Sequence, residues 1–261
     1  MQNNTFSTLF VGQNLIKLSA VDSTNNFLKS LVSKSEPLPE GTVIMADDQF
    51  AGRGQQNNTW HADPGKNLTI SILLRPKFLT LNKQFLLNMA VSVAINNALT
   101  NVLSKNVAIK WPNDIYYCNQ KLGGVLIENG INGNIIKTSI IGIGLNVNQQ
   151  QFSPELSHKA ISLHQILQED VNLRLLLAEI CSQIESLYLQ LKSGKYAVIR
   201  DAYVNKLYKL GILSLYRQNG EVFEGIIKGV TDSGFLQIEC NGSITEFNFK
   251  EVEFLSTKTH I

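Results

Sequence analysis

Apolar residues along the chain recur at spacings that separate helices from strands. Phe27, Leu28, Leu31 and Val32 fall on one helical face directly behind Asp22-Ser23-Thr24, residue types that start helices. Pro37, Pro39 and Gly41 end that segment. Residues 42–48 read as a buried strand, and residues 67–74 place Leu68, Ile70, Ile72 and Leu74 on one face of another. Residues 81–103 read as a long buried helix. Residues 107–111 form a short strand that Pro112 bars from a central place in a sheet. A meander follows, with strands expected at 114–118, 122–128, 135–138 and 139–147. Asn119-Gln120 and Asn132-Gly133 separate them, the latter a two-residue hairpin signal. Helices are expected at 161–168, 171–193 and 196–209. The pattern predicts an α+β fold, a mixed and mostly antiparallel sheet with helices packed on it.

The pattern changes at Gly211. From there short strands alternate with Asn219-Gly220, Ser233-Gly234 and Asn241-Gly242, the turn spacing of a small β-barrel. Two domains are therefore expected, 1–209 and 210–261, without a flexible linker. A length of 261 residues suffices for a substantial core. Lys+Arg and Asp+Glu nearly balance, 23 against 21, and no basic run occurs, so nucleic acid is not an expected partner. No stretch approaches the ~18 unbroken apolar residues of a membrane span. The N-terminus carries no secretory pattern. Cys118, Cys181 and Cys240 are odd in number and far apart, which suits a reducing cytoplasm.

Four segments carry candidate chemistry. Ser23-Thr24-Asn25 offers small polar side chains for a polar ligand head, or plain helix capping. Gln49 to Gln55, reaching on to Trp60, is a glycine-bearing loop in which Arg53 suits a phosphate or carboxylate; the alternative is an ordinary surface loop. Lys110-Trp111-Pro112-Asn113-Asp114 with Lys121-Leu122-Gly123-Gly124 sets two lysines around an amide and a carboxylate. That oxygen pair suits a hard cation such as Mg²⁺, and the glycines suit a ligand lying against a strand; a hairpin with solvated charges is the alternative. Gly142-Ile143-Gly144-Leu145-Asn146-Val147-Asn148 lacks the third glycine and the acidic partner of a dinucleotide-binding fingerprint. No phosphate-loop lysine motif, zinc spacing or nucleophilic-serine motif is present.

Taken in order, these segments resemble biotin protein ligases over nearly the whole chain. Ser23-Thr24-Asn25 is similar to the family's STN, and Gln49 to Trp60 to its QxxGRGR…W loop. Residues 64–68 and 71–76 resemble the strand after that loop. KWPND at 110–114, KLGGVLIE at 121–128 and GIGLNVN at 142–148 are the most specific pieces. The second arginine of the loop pattern is Gln55 here, which removes one cation.

The resemblance implies a class II synthetase-like catalytic domain followed by an SH3-like β-barrel. It implies ATP-dependent attachment of biotin to a lysine of a biotin carboxyl carrier protein, through biotinyl-5′-AMP, with Mg²⁺ and no tightly bound prosthetic group. A monofunctional enzyme without an N-terminal DNA-binding domain is expected, as monomer or homodimer. A lipoate ligase of the same superfamily and a non-catalytic biotin sensor are the alternatives. Carried over by resemblance, Arg53 and Lys121 are the catalytic cations. Biotin is expected against Ser23, Thr24, Asn25, Gln49, Arg53, Gly54, Gln55, Lys121, Gly124, Gly142 and Gly144. ATP is expected against Arg53, Trp60, Lys110, Asn113, Lys121 and Asn146, with Asn113 and Asp114 toward the metal. Residues 52–60 are expected to order over the intermediate and exclude water.

Overall fold

A computed structural model describes residues 6–34, 37–54, 58–104 and 106–255. Gln55 therefore lies outside the described residues. The first part of the chain forms β1 (Leu15–Val21), α1 (Thr24–Val32), β2 (Val43–Gln49), β3 (Leu68–Leu74) and α2 (Gln84–Leu103). It continues through β4 (Val107–Lys110), β5 (Asp114–Tyr117), β6 (Gln120–Asn132) and β7 (Ile135–Leu145) to α3 (Leu163–Leu167), α4 (Leu173–Lys192) and α5 (Tyr196–Val204). The last part forms β8 (Leu213–Gln218), β9 (Glu221–Val230), β10 (Leu236–Cys240), β11 (Ser243–Phe247) and β12 (Glu253–Phe254).

Among the described residues, the first seven strands make one sheet in the order β1-β2-β3-β7-β6-β5-β4. Only β1 and β2 run parallel; every other pair is antiparallel. The fold is thus α+β with a mixed, mostly antiparallel sheet. Three details differ from the sequence reading. The edge strand β1 was not anticipated. The two strands expected at 135–138 and 139–147 are the single strand β7, which stays on β6 through a register shift at Lys137, with Gly130 paired to Thr138 and Ile131 to Ile136. The hairpin loop is Gly133-Asn134, one residue later than expected, with Gly133 at φ +59.

The helices divide the sheet into two faces. On one face α1 packs over β2, β3 and β7, burying Leu28 against Ile44, Leu73 and Ile140. The other face carries α2, flanked by α4 and α5. Residues 81–103 are long and apolar enough to cross a membrane by composition, but here they are the core helix. Leu86, Met89, Val93 and Ile95 are all buried in the main apolar core. Asn88 and Asn96 are buried on this helix because each has partners: Asn88 donates to the Pro112 carbonyl at 2.9 Å, and Asn96 donates to that of Val107 at 3.0 Å.

The last five strands form a second antiparallel sheet, in the order β11-β10-β9-β8-β12. It joins the first part through the segment between β4 and β5. There Trp111, in a cis peptide bond with Pro112, donates its indole N–H to the Gly234 carbonyl at 2.9 Å. Its ring lies 5.1 Å from that of Phe249, and the Tyr203 hydroxyl donates to the Pro112 carbonyl at 2.7 Å. The main apolar core runs through this junction into Tyr216, Ile227 and Leu236.

Candidate active site

A trough crosses the face of the sheet that carries α1. Antiparallel pairing aligns Thr69 with Gly144, Gly144 with Gly124, and Gly124 with Asp114. A second row aligns Ser71, Gly142 and Leu126. Paired residues share a face, so the glycines leave adjacent side-chain positions empty. The gaps are used. A Cβ on Gly142 would lie 2.6 Å from Asn25 Oδ1, and one on Gly144 would lie 2.5 Å from the Trp60 ring. The resulting pocket occupies about 750 Å³, counting the space open at its mouth.

The polar end is built at the start of α1. Ser23 is the N-cap, yet its side chain makes no capping hydrogen bond; it is buried and lines the pocket. Simple capping is therefore not its role. Gln49 Oε1 accepts from the Thr24 backbone N–H at 2.8 Å and from the Thr24 hydroxyl at 3.2 Å. Ser71 lies 2.8 Å from Thr24 Oγ1 and 2.5 Å from Asn25 Oδ1, inside the buried strand β3. Asn25 Nδ2 then donates to Glu128 Oε2 at 2.8 Å.

Two cations stand at the mouth, each beside a carboxylate. Arg53 meets Glu128 Oε2 at 2.7 Å, and Lys121 Nζ meets Asp114 Oδ1 at 2.6 Å. The Arg53 loop is pinched at its base, with Gly54 donating to the Asn58 carbonyl at 2.6 Å and Trp60 to that of Gly52 at 2.9 Å. The backbone of Lys121 is held on both sides by the segment at 159–161: its N–H donates to the Lys159 carbonyl at 2.7 Å, and its carbonyl accepts from Ile161 at 3.0 Å.

A second, wider cleft of about 1700 Å³ adjoins the first and shares Gln49, Trp60 and Lys121 with it. Asn146 lines this cleft while its amide donates to the Ile161 carbonyl at 3.2 Å. Trp60 is thus a wall common to both spaces. Its indole nitrogen is buried with no partner among the described residues.

The structure brings together Ser23, Thr24, Asn25, Gln49, Arg53, Gly54, Trp60, Asp114, Lys121, Gly124, Gly142 and Gly144 around the first pocket. It places two other expected residues elsewhere. Lys110 shares a sheet face with Asp114, but on the edge strand β4 its ammonium turns to the Tyr116 hydroxyl at 3.2 Å. It sits over the Tyr116 and Phe254 rings at 5.0 and 5.2 Å. Burial there pulls its pKa below the usual lysine range, although Asp114 opposes the shift. Asn113 faces α2, where its amide donates to Asn88 Oδ1 at 3.0 Å. Asn113 thus turns to α2 while Asp114 lines the pocket.

No group of three or more His, Cys, Asp or Glu that fits a metal occurs among the described residues. The sequence reading missed Glu128, Thr69 and Ser71. The last two had a signal, polar residues inside the apolar run 67–74; Glu128 had none beyond its place in the 121–128 segment.

A pocket with a polar floor and a smooth trough, cations at its mouth and an open cleft beyond them can hold two ligands end to end. Comparison with known proteins places the chain among relatives of one family. Residues 18–146 match the Biotin/lipoate A/B protein ligase family, and residues 215–255 match the biotin protein ligase C terminal domain. The chain is similar to the bifunctional ligase/repressor BirA of Bacillus subtilis (strain 168), at 31% identity over 94% of this chain and 75% of that protein. It is also similar to the biotin–[acetyl-CoA-carboxylase] ligase of Paracoccus denitrificans, at 28% identity over 84% of this chain and 91% of that one. Its fold superposes on the biotin protein ligase from Aquifex aeolicus in complex with biotin and ATP with a TM-score of 0.78. That match has 27% identity and covers 92% of this chain and 98% of the other.

Proposed function

The chain belongs to the biotin protein ligase family, and from that premise we propose that it joins biotin to a lysine of a biotin carboxyl carrier protein in two steps. As a ligase of this family it uses biotin and ATP. In the first proposed step a biotin carboxylate oxygen attacks the α-phosphorus of ATP, and pyrophosphate leaves. In the second the carrier lysine's neutral amine attacks the acyl carbon of biotinyl-5′-AMP. AMP leaves with the bonding electrons, and the nitrogen loses a proton as the amide forms. The observation that carries this reading is the wall shared by the two spaces. Trp60 and Lys121 border both, so a ligand in each would meet at the Lys121 ammonium.

The roles follow from what each group offers. Biotin's ureido ring is neutral and hydrogen-bonds at both ends, which suits the Ser23 hydroxyl and the Thr24–Gln49 pair on the polar floor. Its ring and aliphatic chain suit the trough over Gly124, Gly142 and Gly144. Bringing a carboxylate onto a polyphosphate is opposed by charge, so catalysis rests on positioning and on fixed cations. Arg53 and Lys121 are those cations, each standing beside a carboxylate, Glu128 and Asp114. The cleft beyond Trp60, with Asn146, is assigned to the nucleotide. Magnesium is assigned to the triphosphate as part of the substrate, since Mg²⁺ is commonly held through phosphates with few protein ligands.

ATP–pyrophosphate exchange by the purified chain with Mg²⁺, run separately with biotin and with lipoate, tests the reading. Exchange is expected with biotin alone. Exchange with lipoate alone would transfer the polar floor to another ligand, and exchange with neither would remove the adenylation step.

An acyl-phosphate anhydride must also be kept from water. Amide hydrogen exchange at Gly52–Gly54 and Asn58–Trp60 is expected to slow when biotin and ATP are added together. Unchanged exchange at those amides would count against a closing loop.

A further inference from the structure

Glu128 stands at a point where the pocket floor and the loop meet. One oxygen, Oε2, accepts from Asn25 Nδ2 at 2.8 Å and from Arg53 at 2.7 Å. Asn25 is locked from its other side by Ser71 at 2.5 Å, so its amide has one orientation, oxygen toward Ser71 and nitrogen toward Glu128. Gly142 and Asn25 leave no slack beneath it. The carboxylate is therefore fixed by groups that are themselves fixed. Arg53, by contrast, comes from a loop whose described ends are tied by the Gly54–Asn58 and Gly52–Trp60 backbone bonds, and its side chain is 40% exposed. Left alone, a long arginine on such a loop samples many rotamers, and ordering it at each turnover costs entropy. Holding Glu128 through Nη2 fixes the rigid fork of guanidinium donors at the pocket that Arg53 lines.

We propose that Glu128 is a positioning residue for Arg53: it holds the guanidinium at the mouth so that its remaining donors meet the carboxylate of the bound acid. The inference rests on the ligase reading and extends it to a residue outside the two cations. A partly exposed ion pair contributes little to folding. Its effect is therefore expected in the use of biotin rather than in stability.

The test is a double-mutant cycle on Glu128→Gln and Arg53→Ala. Glutamine keeps an oxygen for Asn25 and removes the charge that holds Arg53. In the otherwise wild-type chain, Glu128→Gln is expected to lower kcat/KM for biotin about tenfold in pyrophosphate exchange. KM for ATP and the melting temperature should stay near wild type. In the Arg53→Ala background the same change should cost less than twofold, because neighbours that act together are non-additive. An equal loss in both backgrounds would overturn the proposal and place the effect in the Asn25 floor. Tighter biotin binding by Glu128→Gln would also overturn it, by showing that the carboxylate competes with substrate for Arg53. If the wild-type chain shows no biotin-dependent exchange, the ligase reading fails. Calorimetric titration of biotin into the same variants then decides the Glu128 role by the same comparison.

Discussion

Lys121→Ala is expected to lower biotin-dependent ATP–pyrophosphate exchange by two to three orders of magnitude while leaving the fold intact. Lys121 borders both cavities, and its Nζ is already held 2.6 Å from Asp114 Oδ1 on the neighbouring strand. A cation fixed before the reaction needs no reorganisation as charge develops. Removing one such group costs roughly 10²–10³ in rate, about 3–4 kcal/mol of transition-state stabilisation. Alanine would also leave the Asp114 carboxylate facing the mouth without its partner, where it would repel both substrate anions. Stability should change little. The Lys121–Asp114 pair is about a third exposed, and such pairs are worth at most ~1 kcal/mol. The backbone bonds from Lys121 to residues 159–161 survive in alanine. Pyrophosphate exchange and thermal unfolding measured on one preparation separate the two effects. Exchange near the wild-type rate would remove Lys121 from the reaction. Arginine is not expected to rescue it, since a planar fork replaces a compact ammonium at a site with Gly124 beside it.

The segment at 110–114 shows what a short run of residues does and does not reveal. Five consecutive positions suggested one anion site in the sequence. In the structure they serve three purposes. Trp111 and Lys110 face the C-terminal sheet, through Gly234 and Phe254. Asn113 ties the turn to α2 through Asn88, and only Asp114 reaches the pocket. Successive residues in extended chain project to opposite faces, so closeness in sequence works against a shared site. Residues two apart share a face, so Gly142 and Gly144, two positions apart on one strand, open the same side of the sheet. Glu128 was not legible because its charge partner lies 75 residues away in sequence.

The same logic applies to the fold. The core helix α2 and the fully buried strand β3 stand out because burial on all sides demands runs dominated by apolar residues. Edge strand β1 has the mixed sequence LIKLSAV and leaves much of its length exposed. Its parallel pairing with β2 is a long-range choice that no local pattern encodes. The sequence pattern divides β7 between residues 138 and 139, yet Ser139 is buried because its hydroxyl donates to Asn129 Oδ1 at 2.7 Å on β6. A polar residue with a cross-strand partner looks like a strand end when the partner is unknown.

Gly144→Val is expected to weaken biotin binding at least a hundredfold without unfolding the chain. Valine suits a strand, and β7 is paired on both sides, so the backbone can accept the residue. The side chain has nowhere to go. Its Cβ would start 2.5 Å from Trp60 Cε2 and 2.8 Å from Cζ2, before its two methyl groups are placed. Relief requires Trp60 to leave the wall or the methyl groups to fill the trough. Overpacking of this kind typically costs ~1–3 kcal/mol, and here the lost trough surface adds to it. Each ~1.4 kcal/mol is a factor of ten in binding. Because Trp60 borders the second cleft as well, ATP affinity should fall with biotin affinity. Adding Trp60→Ala to Gly144→Val removes the clash, so part of the biotin affinity is expected to return. Calorimetric titration of biotin into wild type, the single variant and the double variant decides it, with circular dichroism confirming the fold. A single variant within threefold of wild type would mean that biotin does not lie on the glycine trough. A double variant no better than the single one would mean that valine blocks the pocket itself, independently of Trp60.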